Sequence, residues 1–167
     1  FIQNHDQTGN RAQGERLISL AGADKTRVLL AALLLSPHIP LLFMGEEFGE
    51  THPFLFFTDF HGELAKAVRE GRAKEFTGHA GHDETVPDPN DVNTFISSKL
   101  DWNKIATDEG KTWLRYTRHL LTLRHRYIVP LLHPGGAVEG HVLKTAPGMV
   151  AVSWRFPSEI GRASCRE

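Results

Sequence analysis

A single cysteine, Cys165, stands near the end of the 167 residues, so no intramolecular disulfide can hold the fold together and a reducing compartment is the expected setting. Long hydrophobic runs are missing too. The longest uninterrupted apolar stretch, Val28 to Leu35, is less than half of the about 18 residues that cross a bilayer, which excludes a membrane helix and predicts a soluble chain. Charge of one sign is not in excess. Nineteen Lys and Arg against twenty Asp and Glu leave −1, so nothing draws the chain to nucleic acid or to an anionic membrane. The sequence shows no phosphate-binding glycine loop, no dinucleotide fingerprint, no serine elbow, no internal repeat and no low-complexity block. It starts at Phe1 without the basic, apolar and small-residue order of a signal peptide, and reads as an arbitrary cut in a longer chain. What is there is ordinary globular composition, 40% hydrophobic and 23% charged, enough for a real core. The length suits one domain. It falls short of the roughly 250 residues of a complete eight-stranded (β/α) barrel, so any barrel read here is part of one.

Apolar spacing predicts a strand end at Phe1–Asn4 that opens at His5 and Asp6 into a polar, glycine-containing loop. Glu15–Leu20 and Lys25–Leu35 carry apolar residues at helical spacing, with Asp24 as the expected N-cap and Pro37 as the stop. Ile39–Met44 is a near-continuous apolar run closed by Gly45, the pattern of a strand buried on both faces of a parallel sheet. Strand, helix, strand is a βαβ unit, and the class is α/β. An aromatic loop with Phe54, Phe56, Phe57 and Phe60 follows, then a helix at about Glu63–Glu75. Thr77–Ser98, broken by Gly78, Gly81, Pro87 and Pro89, is expected to be irregular. A helix is predicted from Asp108 or Glu109, with the stripe Trp113, Tyr116, Leu120 and Leu123 facing a core. Two alternating runs, Ala137–Lys144 and Met149–Phe156, joined through Ala146, Pro147 and Gly148, predict the first hairpin of a separate β domain. Pro157 ends that pattern, and 158–167 is expected to be a non-native tail, resembling translated adapter or vector DNA from Glu159 onward and carrying Cys165 with it.

The sharpest chemical feature is His5-Asp6 at the end of the first expected strand, where α/β folds build their sites. The competing reading has Asp6 capping a turn and His5 bonding nearby backbone. Glu46 and Glu47 are adjacent acids near the end of the second strand. Neighbours on an extended segment point opposite ways, so a structural or substrate-positioning role suits them better than an acid/base couple. Gly45 and Gly49 beside them mark tight turns or close backbone approach. The phenylalanines from Phe48 to Phe60, and Trp102, fill a core or form a wall on which sugar stacks. His79, His82 and Asp83 have metal-ligand chemistry but sit in a glycine-flanked loop with no further well-spaced partner, which favours a solvated loop. Arg11 either bonds substrate hydroxyls or pins its loop, and Arg16 is expected to pin the loop. Arg118, His119, Arg124, His125 and Arg126 make a basic helix end that complements the helix dipole.

The run from Phe1 to Arg16, with Asn4, His5 and Asp6 followed by Gln7, Gly9, Asn10, Arg11, Ala12, Gly14 and Arg16, resembles the fourth signature region of the α-amylase superfamily, and in particular its maltooligosyl trehalose trehalohydrolase family. Leu34 to Gly49 is similar to that family's eighth-strand segment, Pro53–Asp59 with Val68–Gly71 to its next stretch, and Val86–Pro89 and Ser98–Trp102 fit as well. The resemblance runs from Phe1 to about Phe156. It implies the C-terminal part of a (β/α)8 TIM barrel at 1–130, about its seventh and eighth units, followed by the start of a small all-β domain at 131–157. It implies a cytoplasmic retaining glycosidase that cleaves the α-1,4 bond next to the terminal trehalose of maltooligosyl trehalose, or acts on a related α-glucan, with no cofactor and no metal. A separate maltooligosyl trehalose synthase is the implied pathway partner, without implied contact. On this resemblance Asp6 is the transition-state stabiliser and His5 bonds the sugar where cleavage occurs. Asn4, Gln7, Arg11 and Glu46 are implied to bind substrate. The nucleophile and general acid, roughly 5–5.5 Å apart in a retaining enzyme, would lie on strands before Phe1, so the chain alone is expected to be inactive. Three alternatives stay open: a branching enzyme or trehalose synthase of the same superfamily, a metal-dependent phosphohydrolase built on His5-Asp6 and His82-Asp83, and a non-catalytic carbohydrate-binding segment.

Overall fold

Helix α6 (Asp108–Tyr127) forms where the apolar spacing places it, because its ends are satisfied as well as its face. Thr107 accepts from the Gly110 amide at 3.0 Å, Asp108 and Glu109 occupy the positive first turn, and Arg124, His125 and Arg126 occupy the last. The structure, a computed structural model, describes residues 1–76, 86–132 and 136–157. The stripe of α6 packs against α2 (Leu17–Ala21) and α3 (Ala23–Leu34), where Ile18, Leu30, Leu34, Trp113 and Leu120 form the buried core with Leu42 and Tyr116 at its rim. Arg27 lies 4.9 Å over the Trp113 ring, and Tyr116 Oη donates to Arg27 O at 3.0 Å. Arg124, on the same stripe, donates to the carbonyls of Leu34, Ser36 and His38 at 2.6–3.0 Å, so the turn after α3 is fastened to α6.

Several expectations are corrected. The N-cap of α3 is Gly22, not Asp24; a φ of +84° lets the glycine turn the chain sharply between α2 and α3, and Asp24 sits within the first turn, paired with Arg27 at 3.0 Å. The residues after Asn4 form a short helix, α1 (His5–Gly9), in place of a loop. The strands expected at 1–4 and 39–44 make no ladder among the described residues, so no βαβ unit is seen. A parallel strand exists only through hydrogen bonds to neighbours, and here Ile39 is 92% exposed with no strand beside it. The described residues are therefore mixed helix with one small antiparallel sheet.

Helix α4 (Gly62–Phe76) lies where it is expected. Within the stretch expected to be irregular, residues 77–85 lie outside the described part, and α5 (Val92–Ser97) is a helix capped by Asp91. Strands β1 (Glu139–Ala146) and β2 (Met149–Arg155) pair antiparallel from Ala146 opposite Met149 to Glu139 opposite Arg155, with a register shift between Val142 and Lys144. Trp154 meets His38 edge-on at 5.4 Å, which ties the hairpin to the segment that Arg124 holds.

Candidate active site

Asn4 builds the base of the site. Its backbone is extended, its Oδ1 accepts from the amides of Asp6 (2.7 Å) and Gln7 (3.3 Å), and its own amide donates to Gln7 Oε1 at 2.9 Å. This reciprocal capping box satisfies the free amides at the start of α1 and places His5 and Asp6 in its first turn. The two side chains face each other, His5 Nε2 to Asp6 Oδ1 at 3.3 Å, and both are open to solvent at 69% and 66%.

Below that turn lies a buried set of polar groups. Gln3 Nε2 donates to Glu46 Oε1 at 3.0 Å, and the Leu17 amide donates to Gln3 Oε1 at 2.8 Å. Glu46 Oε2 accepts from the Phe43 amide at 2.6 Å. Burial pushes the Glu46 carboxyl above its ordinary range, against the pull of the Phe43 and Gln3 hydrogen bonds and of Arg16. Arg16 donates to His52 O (2.6 Å) and Met44 O (2.7 Å) and lies 5.0 Å over Phe43, which is the loop-pinning role expected of it. Burial lowers its pKa, against the attraction of Glu50, Glu46 and Glu47. Arg11 donates to Glu15 O at 2.8 Å, a local pin.

Three further residues hold the site through contacts that the sequence does not announce. Glu50, fully buried, accepts from the amides of Thr51, His52 and Asp101 at 2.7–2.8 Å. Arg72 reaches from α4 to the carbonyls of Gly9 and Arg11, both at 2.9 Å, and so clamps the end of α1. Gly14, at φ +61°, lies so close to Phe54 that a Cβ would sit 2.6 Å from its carbonyl oxygen, and Gly14 O accepts from the Phe54 amide at 2.8 Å. Apart from Thr51 and His52 beside Glu50, the partners lie dozens of residues away, which is why spacing could not find them.

The phenylalanines divide. Phe48 is fully buried, while Phe43, Phe54, Phe57 and Phe95 run edge-to-face at 5.2–5.6 Å, with Phe95 and Phe56 partly open to solvent. Trp102 is exposed, 5.9 Å from Phe48. Of the candidate site residues, the structure brings Asn4, His5, Asp6 and Gln7 into one turn, and places Glu46 beneath it, 7% exposed. His79, His82 and Asp83 lie outside the described residues, and among the described ones no group of three side chains could hold a metal ion. What the turn can do is present a fixed carboxylate with an imidazole beside it to a ligand that develops positive charge.

No protein-family model matches the chain. It is 49% identical over 133 residues to malto-oligosyltrehalose trehalohydrolase of Deinococcus radiodurans, which covers 79% of this chain and 22% of that protein. It is 44% identical over 128 residues to the protein of the same name from Saccharolobus solfataricus, covering 76% of this chain and 21% of that one. A crystal structure of a candidate alpha amylase from Salmonella typhimurium superposes with a TM-score of 0.85 at 68% identity, over 94% of this chain and 26% of that chain. The chain thus spans about a fifth of the length of the curated relatives it matches.

Proposed function

Starting from a chain that is homologous to the malto-oligosyltrehalose trehalohydrolases, we propose that the protein it comes from is a retaining glycosidase that hydrolyses the α-1,4 bond next to the terminal trehalose of maltooligosyl trehalose. Residues 1–130 are then the C-terminal part of its (β/α)8 barrel and 131–157 the start of a β domain. The observation that carries this reading is Asp6 itself, a solvent-facing carboxylate on a turn locked by the Asn4 capping box.

Glycosidic cleavage passes through an oxocarbenium-like state, and a fixed anion aimed at that charge stabilises it by several kcal/mol. Asp6 supplies the anion. It cannot supply the nucleophile or the general acid as well, because a retaining enzyme needs two further carboxyl groups roughly 5–5.5 Å apart, and Glu46 and Glu50 point inward on backbone amides. His5, 3.3 Å from Asp6, is placed to bond a hydroxyl of the same sugar. The side-chain oxygens of Asn4 and Gln7 hold the turn, and Arg11 borders it. The chemistry needs no cofactor. Among the described residues no helix is long and apolar enough to cross a membrane, and we place the enzyme in the cytoplasm, downstream of a synthase that makes its substrate and need not touch it.

The test is the product. Protein expressed from the complete reading frame is incubated with maltotriosyl trehalose and, separately, with maltopentaose and with maltose. Release of free trehalose from the first substrate is expected. New branch points without trehalose would assign a branching enzyme, and conversion of maltose to trehalose would assign a trehalose synthase.

A further inference from the structure

Beneath Asp6 run three hydrogen bonds whose directions are fixed, two passing from Leu17 through Gln3 to Glu46 and a third meeting them there from Phe43. The Leu17 amide can only donate, so the Gln3 oxygen must face it at 2.8 Å and the Gln3 nitrogen must face Glu46 at 3.0 Å. Glu46 ends the chain as a double acceptor, taking Gln3 on one oxygen and the Phe43 amide on the other at 2.6 Å. Gln3 is 2% exposed. The bonds join three segments: the base of α1, the first residue of α2, and the stretch that enters the turn at Glu46. The next residue after Gln3 is Asn4, whose side chain holds the Asp6 amide at 2.7 Å. Nothing but one peptide unit separates the buried pair from the cap that sets Asp6.

We propose that Gln3 and Glu46 are positioning residues that fix Asp6 for the reaction, acting through the Asn4 cap and without touching substrate. This rests on the trehalohydrolase reading of Asp6. Glu46, implied by family resemblance to bind substrate, takes a different role here because both of its oxygens are occupied below the surface.

The direction of the bonds supplies the test. Glu46→Gln turns an amide nitrogen toward a donor, and Gln3→Glu sets two carboxylates face to face. The reversed pair, Gln3→Glu with Glu46→Gln, restores every bond: the new carboxylate at position 3 accepts from the Leu17 amide and from the amide at position 46, whose oxygen accepts from Phe43. Trehalose release from maltotriosyl trehalose is measured on the full-length protein. Each single variant is expected to lose roughly 10–100-fold in kcat with little change in KM, the scale of a small misplacement of a reacting group. The reversed pair is expected within about threefold of the parent, and in the Asp6→Asn background the single variants should cost less than about threefold more, because groups acting through one another are not additive.

Equal losses in both backgrounds would show that the pair only holds the fold, and would overturn the proposal. Parent-like single variants beside an Asp6→Asn loss of about 100-fold or more would overturn it while leaving the trehalohydrolase reading intact. Full activity in Asp6→Asn would sink that reading, and this one with it. If the single variants do not fold, the reversed pair decides: folded and near-parent in rate supports the proposal, and folded but more than about tenfold slower contradicts it.

Discussion

Glu46 shows at the scale of one residue how burial governs a charge. Desolvation raises its pKa, while hydrogen bonds from Phe43 and Gln3 and the attraction of Arg16 pull the other way without cancelling it. A carboxyl raised on folding holds its proton more tightly in the native chain than in the unfolded one. Below the ordinary carboxylate range both states are protonated and nothing is lost; as pH climbs through that range and past the raised value, the folded state increasingly bears the cost of a buried charge. The stability lost on Glu46→Gln, measured by urea unfolding, is therefore expected to be larger at about pH 4 than at about pH 7. A difference that grows with pH would contradict the burial account. Asp6 is singled out by its place at the end of an expected strand and by the family resemblance, and the structure sets it instead in the first turn of α1. Gln3, Glu50 and Arg72 are not singled out by the sequence, since a lone polar residue has no periodicity and their partners, Glu46, Asp101 and Gly9, stand 43, 51 and 63 residues away.

At the scale of elements, the sequence pattern was most readable where one face meets one core. Helix α6 and the hairpin β1–β2 follow their periodicities of 3.6 and 2. Helix α1 escaped notice, although Asn4 and Gln7 stand at the spacing of a capping box, because five residues are too few for an apolar stripe. The apolar run 39–44 was read as a buried strand from composition alone, and composition does not say whether a partner strand is present. The turn at Glu46–Phe48 is bracketed by Gly45 at φ +89° and Gly49 at φ +71°. A Cβ at Gly49 would sit 2.5 Å from Cδ1 of Trp113, which is buried in the core and has no room to yield. Gly49→Ala is expected to destabilise the protein by about 2–4 kcal/mol, from the left-handed backbone and overpacking together. A loss below about 0.5 kcal/mol, within the range of neutral surface changes, would show that α6 and the turn are not packed as described.

At the scale of the whole molecule, many apolar side chains are left open, among them Phe1, Leu20, Val28, Leu29, Ile39, Leu41 and Met44 in the first 44 residues and others through the later segments, the β1–β2 hairpin included. Exposed apolar area of that extent marks a surface that another part of a protein covers. On the trehalohydrolase reading the rest of the barrel covers it. The 167 residues produced alone are thus expected to self-associate and to bind a hydrophobic dye strongly, and protein from the complete reading frame much less; equal dye binding would argue against a barrel neighbour on this face. The same reading makes the chain inactive alone, since Asp6 is one of three carboxyl groups the reaction requires.

The most direct measurement is kcat/KM for trehalose release from maltotriosyl trehalose by the full-length protein and by its Asp6→Asn variant, with the melting temperature of each recorded. The account predicts a loss of roughly 100-fold or more at an unchanged melting temperature. A folded Asp6→Asn variant that releases trehalose at the parent rate would contradict it.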